Sequence, residues 1–142
     1  MQIKEVMTRS VETISRNASI AEAAKIMRTL DTGFLPVTDT DKERLIGVAT
    51  DRDIVLRCVA RGRNPADTPI QDVISEKVLY CFADQDVETA ASSMAEQQVY
   101  RLVVLDGPES KRLAGVVTLS DIRRHGAKEV AEPAADQIVE AG

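Results

Sequence analysis

A threonine and an aspartate recur at one spacing, twice, inside one apolar frame. Leu45-Ile46-Gly47-Val48-Ala49-Thr50-Asp51-Arg52-Asp53-Ile54 returns as Leu113-Ala114-Gly115-Val116-Val117-Thr118-Leu119-Ser120-Asp121-Ile122. Both copies read L-x-G-V-x-T-x-x-D-I. A hydroxyl and a carboxylate three residues apart, where an apolar strand runs into a helix, can recognise a sugar phosphate. The hydroxyl and the N–H groups of the helix start suit a phosphate. The carboxylate suits a ribose, because it accepts from both hydroxyls of the diol. The same T-x-x-D spacing is also a helix cap, each side chain satisfying a backbone N–H. The motif alone leaves both readings open. Arg52 lies inside the first copy and Arg101 begins the strand leading to the second, and a guanidinium there is a natural phosphate partner. Arg123 and Arg124, further along the second helix, read as solvated surface charge.

The elements that position these residues repeat as well. At an offset of 67, Ile3, Val6 and Val11 meet Ile70, Val73 and Val78, and Leu35, Val37 and Asp39 meet Leu102, Val104 and Asp106. One extra residue in the turn Gly107-Pro108-Glu109-Ser110 shifts the offset to 68, and Gly47, Thr50 and Asp53 then meet Gly115, Thr118 and Asp121. A period this long marks two structural repeats. Each predicts a short extended run (Val11–Ile14; Val78–Phe82) and then a helix. Ser19 and Glu22 form a capping box before Ala23, Ala24, Ile26, Met27 and Leu30 at helical spacing. Asp86 opens the second helix, with Ala90, Ala91, Met94 and Ala95. Hairpins follow, Phe34–Thr38 with Leu45–Ala49 and Arg101–Leu105 with Leu113–Val117, through the turns Asp39–Arg44 and Asp106–Arg112. A last helix begins at Thr50 or Thr118, giving β-α-β-β-α twice.

The expected organisation is one repeat over 1–62, a proline-stiffened linker over 63–69, a second repeat over 70–126, and an acidic tail over 127–142, partly helical or disordered. The fold class is α/β in the broad sense (α+β). A single unit has little core of its own. Two copies packed sheet against sheet with pseudo-twofold symmetry solve this and leave a cleft between them. The Ala and Met faces of the helices divide between internal core and contact with a second subunit.

Composition excludes several function classes. The net charge of −5 argues against general affinity for nucleic acid. No apolar run approaches the roughly 18 residues that span a bilayer, so no membrane partner is expected. Met1-Gln2-Ile3-Lys4-Glu5 lacks the apolar core of a secretory signal, and the cytoplasm is the expected compartment. Cys58 and Cys81 sit in apolar surroundings and read as buried thiols. His125 is the sole histidine and lacks partners at ligand spacing, so no metal site is expected. Polar residues that recur symmetrically do not make a nucleophile–base pair, and an enzyme is the weakest reading.

Over residues 1–126 the chain resembles a tandem pair of CBS domains, named for cystathionine β-synthase. Met7-Thr8, Gly33-Phe34-Leu35-Pro36-Val37 and Gly47-Val48-Ala49-Thr50-Asp51-Arg52-Asp53 carry the resemblance. The second copy departs from it, with Val103 in place of the proline and Tyr100-Arg101 in place of Gly33-Phe34. The resemblance implies repeats paired through their sheets, a homodimer, and adenine nucleotide in the cleft between repeats. The motif aspartate would take the ribose, the threonine the phosphate, and the partner repeat would frame the base. Carried over, one site combines Arg101, Val116, Thr118, Ser120 and Asp121 with Met7, Glu12, Thr32 and Gly33. The other combines Val48, Thr50, Arg52 and Asp53 with Ile74, Leu79, Val99 and Tyr100. The small Gly33 favours the first site, whereas Val99 and Tyr100 stack on or block a base at the second.

The expected function is a regulatory, energy-sensing module. It binds AMP, ADP or ATP, with NAD and S-adenosylmethionine as further options, and no cofactor is required. It signals by conformational change to a regulated protein that the sequence does not name. The alternative is a dimeric scaffold in which T-x-x-D only caps helices.

Overall fold

Each copy of the motif is the last strand of a three-stranded sheet in the computed structural model, which describes residues 1–40, 44–75 and 78–138. In the first sheet β1 (Ile14–Ser15) runs parallel to β2 (Phe34–Thr38), and β2 runs antiparallel to β3 (Leu45–Thr50). Helix α1 (Ile20–Leu30) makes the crossover. Helix α2 (Asp51–Ile54) follows β3 at once and continues as a wider π-type turn over Val55–Val59. The second sheet repeats this with β4 (Tyr80–Phe82), α3 (Val87–Gln97), β5 (Arg101–Leu105), β6 (Leu113–Thr118) and α4 (Leu119–Arg124). The β-α-β-β-α order therefore holds in both copies. The opening strands are shorter than the extended runs Val11–Ile14 and Val78–Phe82. Parallel pairing begins only at Ile14, opposite Val37, and at Tyr80, opposite Val103.

The sequence dictates these elements locally. Ser19 Oγ accepts the Glu22 N–H at 3.1 Å, and Ile20, Ala23 and Met27 fall on the buried stripe of α1. Both crossover helices end in a left-handed residue, Asp31 at φ 52° and Gln98 at φ 58°.

The chain forms two compact units, and neither is a continuous sequence repeat. Met1–Val11 packs with Leu79–Gly142, and Glu12–Val78 forms the other. The reason is hydrogen bonding and burial at the start of each repeat. The Ile3 and Lys4 N–H groups donate to the Gln85 and Ala83 carbonyls at 2.8 and 2.9 Å. Thr8 pairs with Val116 in both directions, at 2.9 and 3.0 Å. Ile3 and Val6 are buried with Met94, Leu102, Val104 and Ile122. In the other unit Ser75 pairs with Val48, and Ile70 and Val73 are buried with Ile20, Leu35 and Val37.

These crossings explain the glycine of the motif. A Cβ on Gly115 would collide with the Thr8 carbonyl oxygen, and one on Gly47 would lie 2.9 Å from the Ser75 carbonyl oxygen. Only glycine lets the incoming backbone approach so closely.

The 63–69 segment is more than a spacer. The Ile20 and Ala21 N–H groups donate to the Thr68 and Pro65 carbonyls at 2.9 and 3.0 Å, which ties it to the start of α1.

The tail forms helix α5 (Lys128–Gln137), with Pro133 inside it. Ala131, Ala134 and Ile138 are buried in the core that contains α3 and α4, and Gln98 Nε2 donates to the Gln137 carbonyl at 2.8 Å. Turn residues 41–43 and tail residues 139–142 lie outside the described residues. Ala90, Ala91, Met94, Ala95, Leu119 and Ile122 are consequently all buried. In the other unit Ala24, Leu30, Val55, Leu56 and Val59 stay exposed. Among the described residues no helix is long and apolar enough to cross a membrane.

Candidate functional site

Strand β6 ends in Thr118 and α4 starts on the next residue, so the motif side chains sit on the first helical turn. The Asp121 N–H donates to Thr118 Oγ1 at 3.1 Å, and the Thr118 N–H donates to Asp121 Oδ2 at 2.9 Å. The first copy has the same reciprocal box. The Asp53 N–H donates to Thr50 Oγ1 and the Thr50 N–H to Asp53 Oδ2, both at 3.1 Å. The capping role of T-x-x-D is thus real in both copies. It uses one carboxylate oxygen, Oδ2, and leaves Oδ1 to another partner.

That second oxygen separates the copies. Arg124 Nη2 donates to Asp121 Oδ1 at 2.8 Å, and the Asp121 side chain is only 8% exposed while that of Arg124 is 73% exposed. Arg124 is therefore an ion-pair partner of the motif, not the free surface charge expected of it. The i,i+3 spacing from Asp121 was the signal that pointed to it. Among the described residues Asp53, half-buried, accepts only the Thr50 N–H. Leu56 occupies the position equivalent to Arg124.

Six residues expected around Thr118 belong to one unit: Met7, Arg101, Val116, Thr118, Ser120 and Asp121. Arg101 is exposed and stands opposite Thr118 in the strand register. Val116 pairs with Thr8, next to Met7, whose sulfur lies 3.2 Å from where a Gly115 Cβ would stand. Ser120 is exposed on the first turn of α4. Glu12, Thr32 and Gly33 belong to the other unit. There Glu12 is exposed, and Thr32 Oγ1 accepts the Phe34 N–H at 3.2 Å.

Val48, Thr50, Arg52, Asp53 and Ile74 likewise share one unit. Val48 is buried and paired with Ser75, beside Ile74, and Arg52 is exposed. Leu79 and Val99, half-buried, and Tyr100, exposed, belong to the other unit.

Gly33 lies against Asp51 of its own unit. The Asp51 N–H donates to the Gly33 carbonyl at 3.0 Å, and the Asp51 carboxylate stands 2.5 Å from where a Gly33 Cβ would be. The second copy keeps the backbone bond, Leu119 N–H to the Tyr100 carbonyl at 2.9 Å, but brings two bulky side chains. Tyr100, Leu119, Ser120 and Arg123 line a cavity of about 150 Å³ whose other wall is Ala131, Glu132 and Ala135 of α5. Sequence reasoning missed that wall, because nothing in the alternation of the tail says which helices it covers.

Burial pushes the Cys81 thiol up to about 12, so it stays protonated at neutral pH and is no nucleophile. Among the described residues no cluster of His, Cys, Asp or Glu is arranged to hold a metal ion.

Comparison with known proteins adds the family. A family model described as CBS domain matches residues 3–59 and 70–128. The CBS domain-containing protein YhcV of Bacillus subtilis (strain 168) is 37% identical over 120 residues, 84% of this chain and 81% of that protein. A conserved CBS domain protein of Thermoplasma acidophilum has a similar crystal structure, with TM-score 0.76 and 26% identity, covering 96% of this chain and 75% of that one. The CBS domain pair of protein MJ0100, solved in complex with 5′-methylthioadenosine and S-adenosyl-L-methionine, has TM-score 0.73 and 26% identity, covering 91% of this chain and 98% of that one.

Proposed function

The chain belongs to the CBS-domain family, and from that premise we propose that it is a regulatory module that senses an adenine nucleotide. It is a regulator, not an enzyme. The observation that carries this reading is the doubled T-x-x-D box, which leaves a carboxylate oxygen beyond the needs of the helix cap. The carboxylate takes the ribose diol and the threonine hydroxyl takes phosphate. Arg101 stands opposite Thr118 and adds charge for a phosphate. The adenosine compounds held by the related MJ0100 pair support the ligand class. A bound nucleotide favours one conformation, and a regulated partner protein reads it.

A homodimer is part of this proposal. The exposed apolar side chains of Leu30, Val55, Leu56 and Val59 support it. The same face favours the scaffold reading, in which no ligand binds.

Calorimetric and thermal-shift titration with AMP, ADP, ATP, NAD and S-adenosylmethionine tests the choice. A ligand at a hundred times its Kd is expected to stabilise the fold by about 2.7 kcal/mol. No shift with any of the five leaves the scaffold reading.

A further inference from the structure

We infer that Arg124 is a specificity-determining residue that masks one copy of the motif and leaves the other open to a ribose diol. This rests on the proposed role of the motif carboxylate as the ribose acceptor. Both boxes spend Oδ2 on the backbone N–H of their own threonine, at 3.1 Å for Asp53 and 2.9 Å for Asp121. Oδ2 keeps one lone pair and Oδ1 keeps both, so Oδ1 is the oxygen that the cap leaves open to a diol. At Asp121 this oxygen is already bonded to Arg124 Nη2, and the carboxylate is almost wholly buried. At Asp53 the equivalent position carries Leu56, which has no donor. A diol reaching Asp121 competes with a charge-assisted hydrogen bond at Oδ1, whereas among the described residues none stands at Oδ1 of Asp53.

The guanidinium of Arg124 stands largely in solvent, so the mask is exchangeable. It weakens the Asp121 copy without abolishing it. The order of the sites is then the reverse of the one expected from Gly33 and Tyr100. Asp53 fills first, and Asp121 answers only at higher nucleotide.

The test exchanges the two positions. Calorimetric titration with AMP and with 2′,3′-dideoxy-AMP is run on the full chain and on Asp53→Ala, Asp121→Ala, Arg124→Leu and Leu56→Arg. Leu56 is exposed in the single chain, so the fold accepts an arginine there. Circular dichroism checks the fold of every variant, and size-exclusion chromatography separates any loss of a dimer in Leu56→Arg from a loss of affinity. The expected tight AMP site is lost in Asp53→Ala and kept in Asp121→Ala. Arg124→Leu is expected to tighten the weaker site about three- to tenfold, and Leu56→Arg to weaken the tighter one by a similar factor, each within 1.4 kcal/mol per tenfold. The preference for AMP over the dideoxy compound moves with these changes, which a merely structural effect would not produce. A tight site that is lost in Asp121→Ala, or weaker AMP binding in Arg124→Leu, overturns the inference while leaving the nucleotide reading intact. No AMP binding in any variant overturns the inference, and only the failure of all five nucleotides removes the nucleotide reading with it.

Discussion

The two copies of one motif make the same local structure and present different chemistry. Thr50 with Asp53 and Thr118 with Asp121 close identical capping boxes. Around them almost everything differs. Asp121 is buried and paired with Arg124, while Asp53 is half-buried and has a leucine at the equivalent position. Tyr100 and Leu119 stand where the first copy has Gly33 and Asp51. Helix α5 covers the helices beside the second motif, and the matching helices of the first unit leave Val55, Leu56 and Val59 in water. A duplicated motif thus preserves the hydrogen bonds made within it and says little about the side chains that meet it from outside.

Removing the covering helix is expected to break the comparison most. A variant ending at Gly126 exposes Leu119, Ala91 and Ala95 and loses the buried Ile138. About 3–5 kcal/mol of stability should go, measured by urea unfolding. An unchanged midpoint would mean that α5 rests on the surface without supporting it.

The motif glycines come next. Gly115→Ala is expected to cost about 2–3 kcal/mol and Gly47→Ala about 1–2 kcal/mol, because the Thr8 carbonyl is nearer than that of Ser75. Thermal unfolding of the pair orders them, and a reversed order would contradict the packing described.

The boxes themselves should be equal. Thr50→Ala and Thr118→Ala are each expected to lose about 1 kcal/mol. A difference larger than the error of denaturant curves would show that one box carries more than a cap.

The smallest effect on stability belongs to the ion pair. Arg124→Gln is expected to shift stability by no more than about 0.5 kcal/mol, since one partner is mostly solvated. A loss of several times that amount, measured by chemical denaturation, would make Arg124 a structural residue.

Much of this was legible in the residues. The offset of 67 to 68 placed every hairpin, and Ser19, Thr50 and Thr118 were readable as helix starts because capping chemistry is local. The site was legible only in its near half. Arg124 was readable as i+3 from Asp121, yet nothing local says that the Asp121 side chain it pairs with is buried. The Asp51 carboxylate stands 2.5 Å from where a Gly33 Cβ would be, a contact between a loop and a helix start that no local pattern announces.

The sequence by itself determined the duplication, the order of elements and the two capped strand–helix junctions. These depend on periodicity and on partners within a few residues, which sequence order fixes. Tertiary structure alone decided that Met1–Val11 joins Leu79–Gly142 while Ile70 and Val73 join the first repeat. It alone decided which motif carboxylate is buried and which helix face is covered. Those outcomes follow from segments distant in sequence competing for the same apolar surface, and burial is settled only when one of them occupies it.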